Sequence, residues 1–180
     1  ILIATGGSGG HVIPSLSLCD SLKDDFEVHI VTDVRGSRYI NSSYNFSLID
    51  VPNILSNLFL IPYNLIKFCY SIFKSYRYLK INNFNILIST GGYMSIPLSL
   101  ASYLMKIKIF VFEPNSILGR ANKLTLSFAK KIICYDISLK KIPEKHLKKI
   151  YLIKPLLRKE IYEYRKNVKK TLEDQKKILI

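Results

Sequence analysis

Residues 1–14 read "ILIATGGSGGHVIP". The run Ile1–Ala4 has the length and apolar character of a buried strand, and it breaks into Gly6, Gly7, Gly9 and Gly10, followed by His11 and Pro14. Behind the glycines Val12, Leu16, Cys19 and Leu22 recur at spacings of three and four, one apolar stripe of a helix over roughly 11–23. Strand, glycine turn and helix in that order open an α/β domain. Glycine leaves no Cβ between backbone and ligand, and the free N–H groups of a helix N-terminus attract anions.

Further runs of strand length follow: "FEVHIVT" (26–32), "FSLIDV" (46–51), "FNILIST" (84–90), "IKIFVFE" (107–113) and "KIICYD" (131–136). They are continuous in Val, Ile and Phe rather than alternating, which fits strands buried on both faces. Helical patterns at 94–106 and 118–130 separate them, so the expected fold is α/β, a doubly wound Rossmann-like parallel sheet. Residues 1–157 are expected to form this domain. The segment 158–180 is expected to be a charged connector helix leading to "KKILI", the first strand of a further domain.

The formal charge is +14, and it is uneven: residues 1–90 carry 7 Lys and Arg against 6 Asp and Glu, whereas residues 91–180 carry 20 against 7. Such a field favours an anionic partner without choosing among phosphate, acidic lipid and nucleic acid. Across 140–177 lysines alternate with apolar residues as on an exposed helix. No basic stripe with aromatic stacking platforms is evident, so nucleic acid is not expected as a partner. Cys19, Cys69 and Cys134 are widely spaced, which suits a reducing compartment better than a disulfide framework or a zinc site.

In an open α/β sheet ligands gather at the carboxyl ends of the strands. Three turns there are chemically loaded. The first, Ala4 to Val12, lacks both the G-x-G-x-x-G spacing of a dinucleotide site and the Lys-Ser/Thr of a P-loop. The second, "STGGYMSIP" (89–97), repeats its Thr-Gly-Gly. Two such turns, Thr5-Gly6-Gly7 and Thr90-Gly91-Gly92 with Tyr93, suggest helix N-termini converging on one polyanion such as a diphosphate. The third, "FEPNSILGRANK" (112–123), offers Glu113 as an acid/base or hydroxyl binder and Asn115 as a helix cap or a sugar-orienting amide. His11, exposed by its glycines, is placed to accept a proton or to donate one hydrogen bond.

One segment stands apart, "NLFLIPYNLIKFCYSIFKSYRYLK" (57–80). Apolar residues cover nearly every face, yet the run before Lys67 is too short, and broken by Pro62, to span a bilayer. Core packing can absorb one face at most. Leu58, Phe59, Leu65, Lys67, Phe68, Phe73, Lys74 and Arg77 are therefore expected to touch an anionic membrane surface.

"GGSGGHVIPSLSLCDSL", "STGGYMSIP" and "EPNSILGRANK", in this order, resemble the MurG family of bacterial cell-wall glycosyltransferases, and the resemblance runs from Ile1 to about Arg158. It implies the N-terminal half of a GT-B glycosyltransferase, in which two Rossmann-like domains face each other across a cleft. It also implies transfer of N-acetylglucosamine from UDP-GlcNAc to undecaprenyl-linked lipid I, making lipid II for peptidoglycan, by a peripheral protein on the cytoplasmic face of the inner membrane. Ser8, Gly9, Gly10, Asn115 and Arg158 match donor-binding positions. His11 matches a position of catalytic or acceptor-binding role. Gly91, Gly92 and Tyr93 match the turn at the acceptor diphosphate. The family's usual His-Glu-Gln-Asn reads Phe112-Glu113-Pro114-Asn115 here. No Asp-x-Asp metal signature is present, so no metal or cofactor is expected, with amides and helix dipoles serving the diphosphate instead. Residues 1–180 alone are expected to lack transferase activity. Two other readings stay open: a nucleotide- or dinucleotide-binding module without transfer chemistry, and a UDP-sugar transferase with another lipid acceptor.

Overall fold

The computed structural model describes residues 1–51 and 61–156. Seven strands, β1 (Leu2–Ala4), β2 (His29–Thr32), β3 (Phe46–Leu48), β4 (Ile86–Ser89), β5 (Lys108–Glu113), β6 (Lys131–Cys134) and β7 (Ile150–Leu152), pair in parallel in the order β3-β2-β1-β4-β5-β6-β7. The helices are α1 (Gly9–Leu22), α2 (Val34–Ser37), α3 (Ile61–Asn82), α4 (Ser95–Leu104) and α5 (Arg120–Thr125).

The pleat sends alternate residues to opposite faces. Leu2, Ala4, Val31, Leu87 and Ile109 pack with Leu79 of α3 and with Leu98 and Ala101 of α4. On the other face Ile3, Ile30, Ile88 and Phe112 pack with Val12, Leu18 and Cys19 of α1. Covering both faces is what the uninterrupted Ile, Val and Leu of these strands require, and the expected doubly wound sheet is present. The chain winds outward through β1, β2 and β3, then crosses to β4 on the other side of β1. The carboxyl ends of β1 and β4 are therefore neighbours at the switch point, where such sheets leave a crevice.

Two expectations are corrected. Within 140–177, residues Glu144–Lys149 form a short 3-10 helix and Ile150–Leu152 an edge strand rather than an exposed helix. An alternation of Lys with apolar residues suits a half-exposed strand equally well, and the Ile153 amide donates to the Cys134 carbonyl at 3.0 Å to continue the pairing. The helix expected over 118–130 is confined to Arg120–Thr125. Arg158, Leu58, Phe59 and the connector helix lie outside the described residues.

The buried side of α3 is mostly small and polar. Its buried residues are Asn64, Ser71, Ser75 and Leu79, and it packs on α4, which buries Ser95, Ser99 and Ser102. Ser71 and Ser75 satisfy their hydroxyls within α3, donating to the Phe68 carbonyl at 2.6 Å and the Ser71 carbonyl at 2.8 Å. The bulky side chains point outward: Ile66 is 69% exposed, Tyr70 60% and Phe73 55%, with Tyr63 and Leu65 beside them. Lys67 lies over the Tyr63 ring at 4.4 Å and Lys74 over Tyr70 at 5.9 Å, so the cations rest on the aromatic surface. Among the described residues no helix is long and apolar enough to cross a membrane.

Candidate functional site

The first turn is held by a carboxylate from the next strand. Asp33, immediately after β2, accepts from the Gly7 amide at 3.0 Å and from the Gly36 amide at 2.7 Å, both on Oδ1. Its Oδ2 faces the Arg35 guanidinium at 3.6 Å. An acidic group ending the second strand is what a dinucleotide site uses for ribose, but here that group is spent on the turn. Ser8 is the N-cap residue of α1 and makes no capping bond through its side chain. Ser8 and Gly10 are exposed and Gly9 half-exposed, and the Gly9 and Gly10 amides have no intrahelical carbonyl to meet.

The second turn is locked onto the first. The Thr90 amide donates to the Ala4 carbonyl at 2.9 Å, and Gly91 and Gly92 adopt φ of 97° and 81°. A Cβ on Gly92 would stand 2.9 Å from the Gly6 carbonyl carbon and closer still to its oxygen, so the glycine is required by contact as well as by conformation. His11 spans the two turns, its Nδ1 lying 3.0 Å from the Thr90 carbonyl. A carbonyl only accepts, so Nδ1 carries the hydrogen, and in the neutral ring the lone pair lies on Nε2.

Beside the second turn Glu113 closes β5. It is fully buried, and all of its recorded partners are nitrogen donors. The amide and side-chain Nδ2 of Asn115 reach Oε1 at 3.3 and 2.9 Å, and the Gly119 amide and Asn122 Nδ2 reach Oε2 at 2.8 and 3.0 Å. A carboxylate survives burial only when its lone pairs are met in this way. Asn122 extends the network, accepting from Ser89 Oγ at 3.1 Å and so tying α5 to the strand that carries the second turn.

The second turn, His11 and the start of α5 line a cavity of about 600 Å³. Its walls are His11, Gly91, Gly92 and Tyr93 on one side, Gly119, Arg120, Ala121 and Leu124 on the other, with Ile96 between. Of the residues expected at an acceptor diphosphate, Gly91, Gly92 and Tyr93 line it together with His11. Thr5, Gly6 and Gly7 do not. Thr5 and Thr90 have no exposed surface, Gly6 is buried against Met94 and Gly92, and the Gly7 amide is committed to Asp33. These four residues shape the turns. Glu113 is corrected likewise, since its oxygens face inward to amides and leave no access for a substrate hydroxyl. Asn115 is exposed, and with one Nδ2 hydrogen given to Glu113, its Oδ1 and second amide hydrogen are left to offer a ligand.

Asp33, Arg120 and Asn122 carry much of the site without having been singled out as site residues from sequence. Asn122 had a signal, a poor helix former inside a short helical pattern. Asp33 had another, an Asp three residues before a glycine at a strand end, the pattern of a local cap. Among the described residues no group of three or more His, Cys, Asp or Glu could hold a metal ion.

Comparison with known proteins agrees with this architecture. The N-terminal domain of glycosyltransferase family 28 matches residues 1–134. A Pelagibacter ubique protein named UDP-N-acetylglucosamine–N-acetylmuramyl-(pentapeptide) pyrophosphoryl-undecaprenol N-acetylglucosamine transferase is 46% identical over 166 residues, covering 92% of this chain and 47% of the relative. A Rickettsia typhi protein of the same name is 36% identical over 166 residues, covering 91% and 42%. The crystal structure of Acinetobacter baumannii MurG superposes with a TM-score of 0.70 at 22% identity, over 88% of this chain and 46% of that one, a likeness of fold. The chain spans about half the length of the curated relatives it matches. With a family domain matched over well more than half its length, and a cavity lined by the second glycine turn, His11 and α5 at the carboxyl ends of the strands, this chain belongs to glycosyltransferase family 28, as an N-terminal domain.

Proposed function

We propose that this chain is the acceptor-binding part of a UDP-GlcNAc-dependent transferase that converts undecaprenyl-linked lipid I to lipid II. The observation that carries the proposal is the cavity beside the second glycine turn, which His11 lines together with Gly91, Gly92 and Arg120 while its Nδ1 is engaged by the Thr90 carbonyl. The relatives named above as transferases of this specificity support it. In the reaction the acceptor hydroxyl oxygen bonds to the sugar's anomeric carbon as the bond from that carbon to the UDP oxygen breaks. His11 Nε2 takes the hydroxyl proton. Its Nδ1–H, held by the Thr90 carbonyl, keeps the ring in the accepting tautomer. Ser8, Gly9, Gly10 and Asn115 Oδ1 are assigned to the donor, with Arg158 beyond the described residues. The amides opening α1 offer positive charge to the departing diphosphate.

The outward face of α3 is assigned to the membrane. Leu65 and Phe73 enter the interfacial zone with Tyr63, Ile66 and Tyr70, while Lys67, Lys74 and Arg77 meet anionic headgroups. Phe68 is turned partly inward and stacks obliquely on Tyr93, 5.8 Å between ring centres, joining this face to the cavity. The protein is thus read as peripheral on the membrane leaflet that presents lipid I, using no metal and no nucleic acid.

The test is GlcNAc transfer by the full-length protein carrying this chain, from UDP-GlcNAc to lipid I in anionic vesicles. Transfer is expected, with His11→Ala lowering turnover by about 10²- to 10⁴-fold. Absence of transfer, or unchanged turnover in the variant, overturns the reading.

A further inference from the structure

Among the described residues, Arg120 is the one permanently charged side chain lining the cavity. It is exposed, and among the described residues it pairs with no carboxylate. Its neighbour in the chain, Gly119, is fixed by the bond to Glu113, and Asn122, two residues on, is fixed by Glu113 and Ser89. The base of the arginine is therefore anchored on both sides while its head is free, the arrangement of a preorganised anion binder. One helical turn further along α5, Leu124 lines the same cavity and is 62% exposed. Ile96 faces it from α4. A cation and a bare aliphatic side chain spaced by four on one helix face suit a ligand whose anionic group adjoins a hydrocarbon chain. UDP-GlcNAc has no such chain.

We propose that Arg120 and Leu124 grip the junction of the acceptor's diphosphate with its isoprenoid tail, Arg120 forking onto phosphate oxygens and Leu124 packing on the first apolar unit. This rests on the transferase reading and adds the acceptor residues that select a lipid-linked diphosphate. The phosphate would enter between Arg120 and the Gly91–Gly92 backbone, and the tail would leave past Leu124 and Tyr93 toward the outward face of α3.

The experiment compares three soluble acceptor analogues in the full-length protein: a diphosphate with a short isoprenoid tail, a diphosphate with a methyl group instead, and a tailed analogue without phosphate. Arg120→Gln is expected to raise KM about ten- to a hundredfold for both diphosphates and to leave the phosphate-free analogue and the KM for UDP-GlcNAc unmoved. Arg120→Lys, which keeps the charge and loses the fork, should recover part of that loss. Leu124→Asn should raise KM only for the tailed analogues. A penalty that falls on UDP-GlcNAc, or equally on all three analogues, overturns the assignment. If the unaltered protein transfers GlcNAc and Arg120→Gln changes no KM, the inference fails and the transferase reading stands. If the unaltered protein transfers nothing, both fall.

Discussion

The two glycine turns share the letters Thr-Gly-Gly, follow adjacent strands and touch each other, yet they do different work. In the first, Gly6 is buried and the Gly7 amide is consumed by Asp33. In the second, both glycines carry positive φ and line the cavity. The first turn is bonded directly by a carboxylate, Asp33 after β2, whereas Glu113 closing β5 reaches the second only through Asn122, which also bonds Ser89. Those two carboxylates also differ. Asp33 serves two amides through a single oxygen, while Glu113 distributes four donors over both of its oxygens. A repeated motif therefore marks where two strands end; the surrounding side chains decide which turn meets a ligand.

The sharpest way to break this contrast is to put the same methyl group on each turn. Gly92→Ala forces a left-handed backbone on a side chain, about 1–2 kcal/mol, and drives Cβ into the Gly6 peptide, about 1–3 kcal/mol more. The expected loss is about 4 kcal/mol of unfolding free energy, read from urea midpoints. Gly7→Ala has a similar φ of 85°, but among the described residues the only atom near its added Cβ is a guanidinium nitrogen of Arg35 at 3.7 Å. It should lose only about 1–2 kcal/mol. Equal losses would mean that the turns are not interlocked as described.

The carboxylates give the next largest difference. In Glu113→Gln one oxygen becomes an NH₂ facing two N–H donors, leaving buried donors unmet, and about 3 kcal/mol should be lost. In Asp33→Asn the single accepting oxygen is preserved, and the loss should stay below about 1 kcal/mol. Chemical denaturation of the two variants side by side checks this. A mild Glu113→Gln would show that its carboxylate is not spent on structure and would restore it as a candidate acid or base.

Strands were legible because long-range packing imposes a local pattern: "IKIFVFE" must be apolar throughout if helices cover both faces of β5. β7 was not, since three edge residues beside lysines satisfy a helical period as easily as a strand. The positions of the glycine turns were legible from their own letters. The occupation of Gly7 by Asp33 was hidden by a separation of 26 positions in the chain. Glu113 looked reactive for a related reason, because a strand-end carboxylate next to glycines has the same spelling whether it points out to substrate or in to Asn122. The greasy segment was correctly seen as having more apolar surface than one core face could take. That the buried face would be the serines, with the aromatics outside, depends on how closely α4 approaches.

The smallest expected effect concerns the opposite end of the strand that leads to Asp33. His29 opens β2, packs near Tyr78 and Phe84, and lies 2.9 Å through Nε2 from Ser47 Oγ. Burial lowers its pKa below the ordinary 6.5, outweighing the opposing pull of Glu27. With the folded value depressed, the unfolded chain holds more protons between that value and 6.5. Stability contributed by the neutral ring is present above pH 6.5 and declines as the pH falls through the folded value. His29→Gln should flatten this acid-side slope of unfolding free energy between about pH 7 and 5. Because His29 sits at the amino edge and both turns at the carboxyl edge, the variant should not alter the acceptor KM at neutral pH. A changed KM would show that the edges of β2 are coupled and that Asp33 transmits strain from one to the other.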